Sequence, residues 1–264
     1  MYRFYCEEGV SFDGSIVLTG SDVNHIKNVL RMKQGERLIA CDGNGKDYYC
    51  RIEDLEADRI VLKAEEVRQS ESELPVHITL YQGLPKKDKM ELIIQKAVEL
   101  GAVRIVPVAM KRCVVKLEDE RKEEKKRERW QAISESAAKQ SGRGIIPDIA
   151  KTMNYQDALK DAVSHGMLLV PYERAEGMGT LKNAVKRLTA ELGTSLELSV
   201  FIGPEGGFEE EEIASAITAG AIPVSLGRRI LRTETAGLAA LSILMYEIEC
   251  AASGERSTNG SISG

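Results

Sequence analysis

The chain has 264 residues, 43% of them apolar, and a formal net charge of −5. That length supports one large core or two smaller ones, no apolar run approaches the roughly 18 residues of a membrane span, and the acidity excludes whole-molecule attraction to a polyanion. Five scattered cysteines without a C-x-x-C pair, and three isolated histidines, predict neither a disulfide framework nor a metal site.

The amino terminus, MYRFYCEEGVSFDG, has no apolar segment behind a basic start, so no secretory leader and a cytoplasmic location are expected. Residues 3–6, 14–20, 36–52 and 59–67 read as short strands. The DGNG at 42–45 predicts a hairpin, because Gly and Asn accept positive φ at low cost. One helix is expected in SDVNHIKNVLRMKQG, capped by Ser21 or Asp22, with Ile26, Val29 and Leu30 on a common face. Lys27, Arg31, Lys33 and Arg37 then make a basic spot, which is equally well read as ordinary solvated charge. This β-rich module ends near residue 70, and RQSESELP at 68–75 reads as a linker.

From there strands alternate with helices. Strands are predicted at 76–84, 104–110, 167–173, 196–203 and 222–226, and helices at 86–100, 118–140, 179–192, 209–219 and 234–250. Apolar strands separated by amphipathic helices specify an α/β domain with a mostly parallel sheet covered on both faces. The run EDERKEEKKRER at 118–129 balances six acids with six bases, and i,i+4 pairs of Glu118 with Lys122 and of Glu123 with Arg127 suit a solvated helix. The small polar end beyond residue 250 reads as a disordered tail.

Two loops carry the candidate chemistry. FIGPEGGFEEEEI, 201–213, places glycines at a strand end, but Glu209, Glu210, Glu211 and Glu212 would cancel the attraction of a helix N-terminus for phosphate. The letters match neither a dinucleotide fingerprint nor a P-loop. A ligand with an adenosine and a cationic centre but no phosphate, S-adenosylmethionine, suits the loop, as does a tight turn with no ligand; Gly206 is expected to leave room for the ligand's approach. The second loop, LGRRILRTETAG at 226–237, has Gly227 breaking the strand and Thr233 or Thr235 capping the next helix. Arg228, Arg229 and Arg232 bring positive charge to the mouth of any pocket the two loops enclose. Such charge would hold an RNA phosphate or stabilise a uracil anion.

GPEGGF at 203–208 with EI at 212–213, LGRRILRTETA at 226–236, KKDKMELIIQKAVELG at 86–101 and SAAKQSGRGIIP at 136–147 resemble the RsmE-type ribosomal RNA uracil-N3 methyltransferases of the SPOUT class. The resemblance runs from residues 3–4 and HIKNVLRMKQG at 25–35 to about residue 250. It implies an N-terminal PUA-like β-barrel over 1–70 that binds RNA, a SPOUT methyltransferase domain with a C-terminal trefoil knot over 74–250, and a homodimer. It implies S-adenosylmethionine as cofactor, held by Ile202, Gly203, Gly206, Gly207, Leu226, Gly227, Ile230, Leu231 and Ala236. The substrate it implies is a uridine of 16S rRNA in the small ribosomal subunit. Rival readings are action on transfer RNA or a ribose oxygen, or a non-catalytic RNA-binding assembly factor. Within the resemblance, Arg232 is the expected anion stabiliser. Glu205 and Glu234 are candidate proton acceptors or caps, and Arg143 is placed near the substrate mouth across the dimer interface. Lys27, Arg31, Lys33, Arg143 and Arg229 are the expected RNA contacts. Homodimerisation is expected independently from the last helix, whose apolar circumference exceeds what one sheet face needs.

Overall fold

The computed structural model describes residues 1–6, 11, 14–115, 119–175, 177–190 and 196–254. The disordered tail expected beyond residue 250 does not begin there, since residues 251–252 continue the last helix, and from residue 255 on it lies outside the described residues, as does Glu118. The chain divides into two units, 1–73 with 135–146, and 74–134 with 147–264.

In the first unit, β1 (Arg3–Tyr5), β2 (Ser15–Thr19), β3 (Arg37–Cys41), β4 (Lys46–Leu55) and β5 (Arg59–Gln69) form a sheet in the order β1-β3-β4-β5-β2. All neighbours are antiparallel except β1 with β3. Every second residue points inward, so Ile16, Leu18, Leu38, Ala40, Cys50, Ile52, Ile60 and Leu62 make one core. The β3–β4 turn is the predicted one: Gly43 and Gly45 have φ of 71° and 96°, and the Asp42 carboxylate accepts the Asn44 N–H at 2.8 Å.

The helix after β2 is shorter than predicted. α1 (Ser21–Asn24) passes directly into a π turn, His25–Val29, closed by Leu30 N–H to His25 C=O. Its N-cap is Gly20, so neither Ser21 nor Asp22 caps it. The wider turn rotates the face: Val23 and Ile26 are buried, whereas Val29 is 65% exposed. Residues 135–146 complete this unit. Ile146 N–H donates to Gly43 C=O and Gly45 N–H to Gly144 C=O, and a Cβ on Gly144 would fall 2.3 Å from the Ser70 Cβ.

The second unit has an all-parallel sheet. β6 (Val76–Gly83), β7 (Ala102–Ala109), β8 (Asp148–Ile149), β10 (Met167–Pro171), β11 (Leu196–Ile202) and β12 (Ile222–Val224) run in the order β12-β10-β11-β6-β7-β8, and β9 (Met153–Asn154) also pairs with β7. β6 and β11, central in the sheet, are near-continuously buried, which is why apolar residues predominate in them. One face is covered by α4 (Tyr155–Ser164) and α6 (Glu210–Thr218), which contribute Tyr155, Ala158, Leu159, Ile213 and Ala216 to a core around Tyr81 and Phe201. α2 (Lys89–Glu99) and α5 (Gly179–Ala190) pack against α7 (Thr233–Ala252), which also lies on β6 and β11.

α3 (Glu120–Ser141) is the highly charged helix, and its ion pairs include two at i,i+3 spacing, Glu123 with Lys126 and Glu124 with Arg127. α7 is the one described helix long and apolar enough to cross a bilayer. Its buried residues, Gly237, Ala240, Leu241, Leu244 and Ile248, follow the stripe of a helix packed on a protein core.

Candidate functional site

The carboxyl ends of β10 and β11, Lys89 at the start of α2 and the chain entering α7 surround one cavity of about 390 Å³, within the range of small-molecule sites. In open parallel sheets, ligands bind at these strand ends. The floor is tied by side chains. Gln82, fully buried in β6, donates from Nε2 to Thr233 Oγ1 at 2.8 Å, and that hydroxyl donates to Gly203 C=O at 2.6 Å. Thr233 therefore spends its hydroxyl joining two loops. It does not cap α7, whose N-cap is Arg232, and Thr235 is not the cap either. Close approach also explains Gly83, where a Cβ would meet the Pro204 nitrogen at 2.6 Å.

The glycine loop closes the top. Gly207 has φ of 71°, a region few side chains adopt. Gly206 lines the cavity, but a Cβ there would meet the Arg112 Cβ at 2.8 Å, so Arg112 rather than ligand approach requires glycine at this position. Arg112 donates to Gly206 C=O at 2.9 Å and pairs with Glu209 at 3.1 Å. The other glutamates are engaged in the same way. Glu210 meets Arg174 and Glu211 meets Lys111, while the buried Glu212 accepts the Glu209 N–H at 2.8 Å and the Lys111 N–H at 3.1 Å. The start of α6 is thus satisfied by its own carboxylate, which leaves it no role as a phosphate cradle.

Of the predicted cofactor residues, Ile202, Gly203, Gly206, Gly207, Ile230, Leu231 and Ala236 line this cavity. Leu226 and Gly227 line an adjoining lobe of about 80 Å³ that shares Ile230, Leu231 and Ala236 and also includes Arg229. Among the predicted catalytic residues, Arg232 and Glu205 are on the wall. Glu234 is one step behind, joined to the wall by Lys89, whose ammonium lies 3.1 Å from both Glu205 and Glu234. Partial burial works to raise the Glu205 pKa, but the Lys86 N–H, the residue's own N–H and Lys89 outweigh it, so the carboxyl sits below its usual range. The guanidinium groups of Arg228, Arg229 and Arg232 have no ion pair among the described residues.

Arg143 sits in the first unit, 3% exposed, with its guanidinium on Glu73; Glu73 also accepts the N–H groups of Gly144 and Ile145 at 2.7 and 3.1 Å. That environment does the work of a structural ion pair. Lys27 donates to Glu56 C=O at 2.7 Å, and Arg31 and Lys33 are exposed. Sequence reading missed Lys89, Arg112 and Glu173. The first two are recognisable only through partners about a hundred residues away, whereas Glu173 ends a predicted strand beside two others that carry site loops.

Parallel strand ends, a glycine loop without phosphate character and a cavity lined by both apolar and charged side chains fit the class that the family comparison shows, an α/β methyltransferase. The RNA methyltransferase domain model matches residues 72–245, and an RNA methyltransferase PUA domain model matches 18–65. A ribosomal RNA small subunit methyltransferase E of Bacillus subtilis is 38% identical over 94% of this chain and 98% of its own. The one from Neisseria gonorrhoeae, solved with bound S-adenosyl methionine, is 35% identical with a TM-score of 0.74, covering 93% of this chain and 97% of that one. A Legionella pneumophila methyltransferase solved with its cofactor is 32% identical, with a TM-score of 0.73 over 92% of this chain and 96% of that one. The chain belongs to the ribosomal RNA small subunit methyltransferase E family.

Proposed function

We propose that the protein transfers a methyl group from S-adenosylmethionine to N3 of one uridine in the 16S rRNA of the small ribosomal subunit. The observation that carries this reading is the cavity between the 203–208 loop and residues 230–236. Its apolar wall of Ile202, Phe208, Leu231 and Ala236 suits an adenosine, and carboxylates suit a cationic centre. When bound there, the cofactor supplies an electrophilic methyl on a sulfonium.

The protein's own residues do the rest. Uracil N3 is a poor nucleophile until its proton leaves, so the site must favour the anion and hold it in line. Arg232, at the cavity wall, offers a guanidinium with no carboxylate partner among the described residues to the negative charge as it develops. Glu205, kept ionised by Lys86 N–H and Lys89, is one candidate for accepting the proton, and Glu234 on the same ammonium is the other. Arg229, the half-buried Lys27 and the exposed Arg31 and Lys33 would meet RNA phosphates. Arg143 enters as the residue that fixes the 143–146 segment, through which any substrate contact of that segment would be set.

The same reading includes a trefoil knot, a closed barrel in the first unit, the division near residues 70–74, and a homodimer. The knot is supported by α7: after β12 at the sheet edge the chain returns to lie on β6 and β11, pinned by Thr233 to Gly203. The dimer is supported by an outer face of α7 on which Ile243 and Tyr246 are exposed, and by exposed Leu92 on α2, the helix that packs on α7. Small subunits lacking the modification, incubated with protein and cofactor and then mapped by mass spectrometry, test the proposal. One methyl on uracil N3 at a single site is the expected product; a ribose methyl, or none, overturns it.

A further inference from the structure

We propose that Glu173 reads the charge on the cofactor's sulfur and so makes the cavity prefer the sulfonium donor over its neutral thioether product. The proposal rests on the cofactor occupying the cavity described above.

Glu173 follows β10 and lines both the main cavity and its adjoining lobe. Its two carboxylate oxygens lie 3.7 and 3.9 Å from the point a Cβ on Gly207 would occupy, which sets the charge against the glycine loop. The other carboxylates around the site are engaged: Glu205 and Glu234 by Lys89, Glu209 by Arg112, Glu210 by Arg174, and Glu212 by backbone N–H groups. Glu173 has no hydrogen bond or ion pair among the described residues. Arg112 and Arg174, the cations that feel its charge, are already paired with Glu209 and Glu210. A carboxylate without a hydrogen bond or ion pair among the described residues therefore faces a cavity lined by the apolar Ile202, Phe208, Leu231 and Ala236 together with Lys89, Glu205 and Arg232.

Methyl transfer changes one charge on the ligand. The sulfur–methyl bond breaks with its electron pair left on sulfur, the N3 lone pair forms the new bond, and the N3 proton has gone to the acceptor. The ligand's ammonium and carboxylate are unaltered. A carboxylate near the sulfur thus attracts the donor and not the product, which lowers product inhibition.

Calorimetric affinities for S-adenosylmethionine and S-adenosylhomocysteine should be compared in wild type, Glu173→Gln, Glu173→Asp and Ala236→Leu. Glu173→Gln is expected to weaken the donor on the order of fivefold or more while leaving the product unchanged. Glu173→Asp should keep part of the preference, and added salt should narrow it in wild type. An unchanged donor-to-product ratio in Glu173→Gln overturns the proposal. Ala236→Leu, which fills the cavity from α7, separates the two ideas. If it weakens both ligands while the ratio stays constant in Glu173→Gln, only the charge-reading role falls; if it leaves both affinities intact, the cavity assignment falls as well.

Discussion

Arg232 is exposed, lines the cavity and has no described carboxylate to neutralise it, so its charge is available to the reacting base. If it acts as the anion develops, Arg232→Ala should lower kcat on the order of 10²-fold with little change in KM, read as a single-turnover rate at saturating RNA and cofactor. A rise in KM at constant kcat would mean a phosphate grip instead. The opposite case is Glu73, buried against Arg143. Burial alone would raise its pKa, but Arg143 and the Ile145 and Gly144 N–H groups hold it below the usual range. Because the folded value is depressed, its stabilisation is complete above the unfolded value of about 4.3 and is lost as pH falls through the folded one. Glu73→Gln should cost on the order of 3 kcal/mol in urea unfolding at pH 7, and the variant should lose less than wild type on acidification through that window. Local spelling exposed the glycine loop and the arginine loop at this scale. It could not show that Arg143 is buried, because its partner lies 70 residues earlier.

Among the elements, the parallel strands were legible because burial on two faces leaves short, mostly apolar runs bounded by glycine, such as HITLYQG and LSVFIG, with few polar interruptions. α4 was overlooked although its signals are present. Asn154 caps it by accepting the Asp157 N–H at 2.9 Å, and Tyr155, Ala158, Leu159 and Ala162 share its buried face. Small residues diluted the apolar period there. The π turn at His25–Val29 was illegible for a different reason: an i→i+5 hydrogen bond leaves no mark on residue choice and shifts the face by one position. α7 is the element from which the dimer is argued. Tyr246 is 65% exposed and Ile243 is 37% exposed, so charge at either should leave the fold intact. Tyr246→Glu with Ile243→Glu is expected to give a folded monomer at micromolar concentration by sedimentation. A wild type already monomeric and fully active would remove the dimer.

For the whole molecule, the division of labour between a β-rich unit and an α/β unit predicts separable defects. Lys27→Ala with Arg31→Ala should weaken RNA binding and flatten its salt dependence, leaving cofactor affinity unchanged in calorimetry. Sequence reading placed a boundary near residue 70, since RQSESELP has the composition of a linker. It did not show that residues 135–146 belong with the first unit, because contacts such as Ile146 to Gly43 and Tyr5 to Arg143 C=O join segments a hundred or more residues apart. This sharing of chain has a consequence for synthesis and dissection. A ribosome that has released only residues 1–73 has made the sheet of the first unit but not the strand-like segment that covers its β3–β4 turn. The unit can finish only after residue 146 emerges, when part of the second unit is already outside, so the two cannot mature strictly one after the other. For the same reason a truncation at residue 74 would yield an unfinished module rather than an isolated RNA-binding domain, and a working transplant would have to carry two stretches of chain.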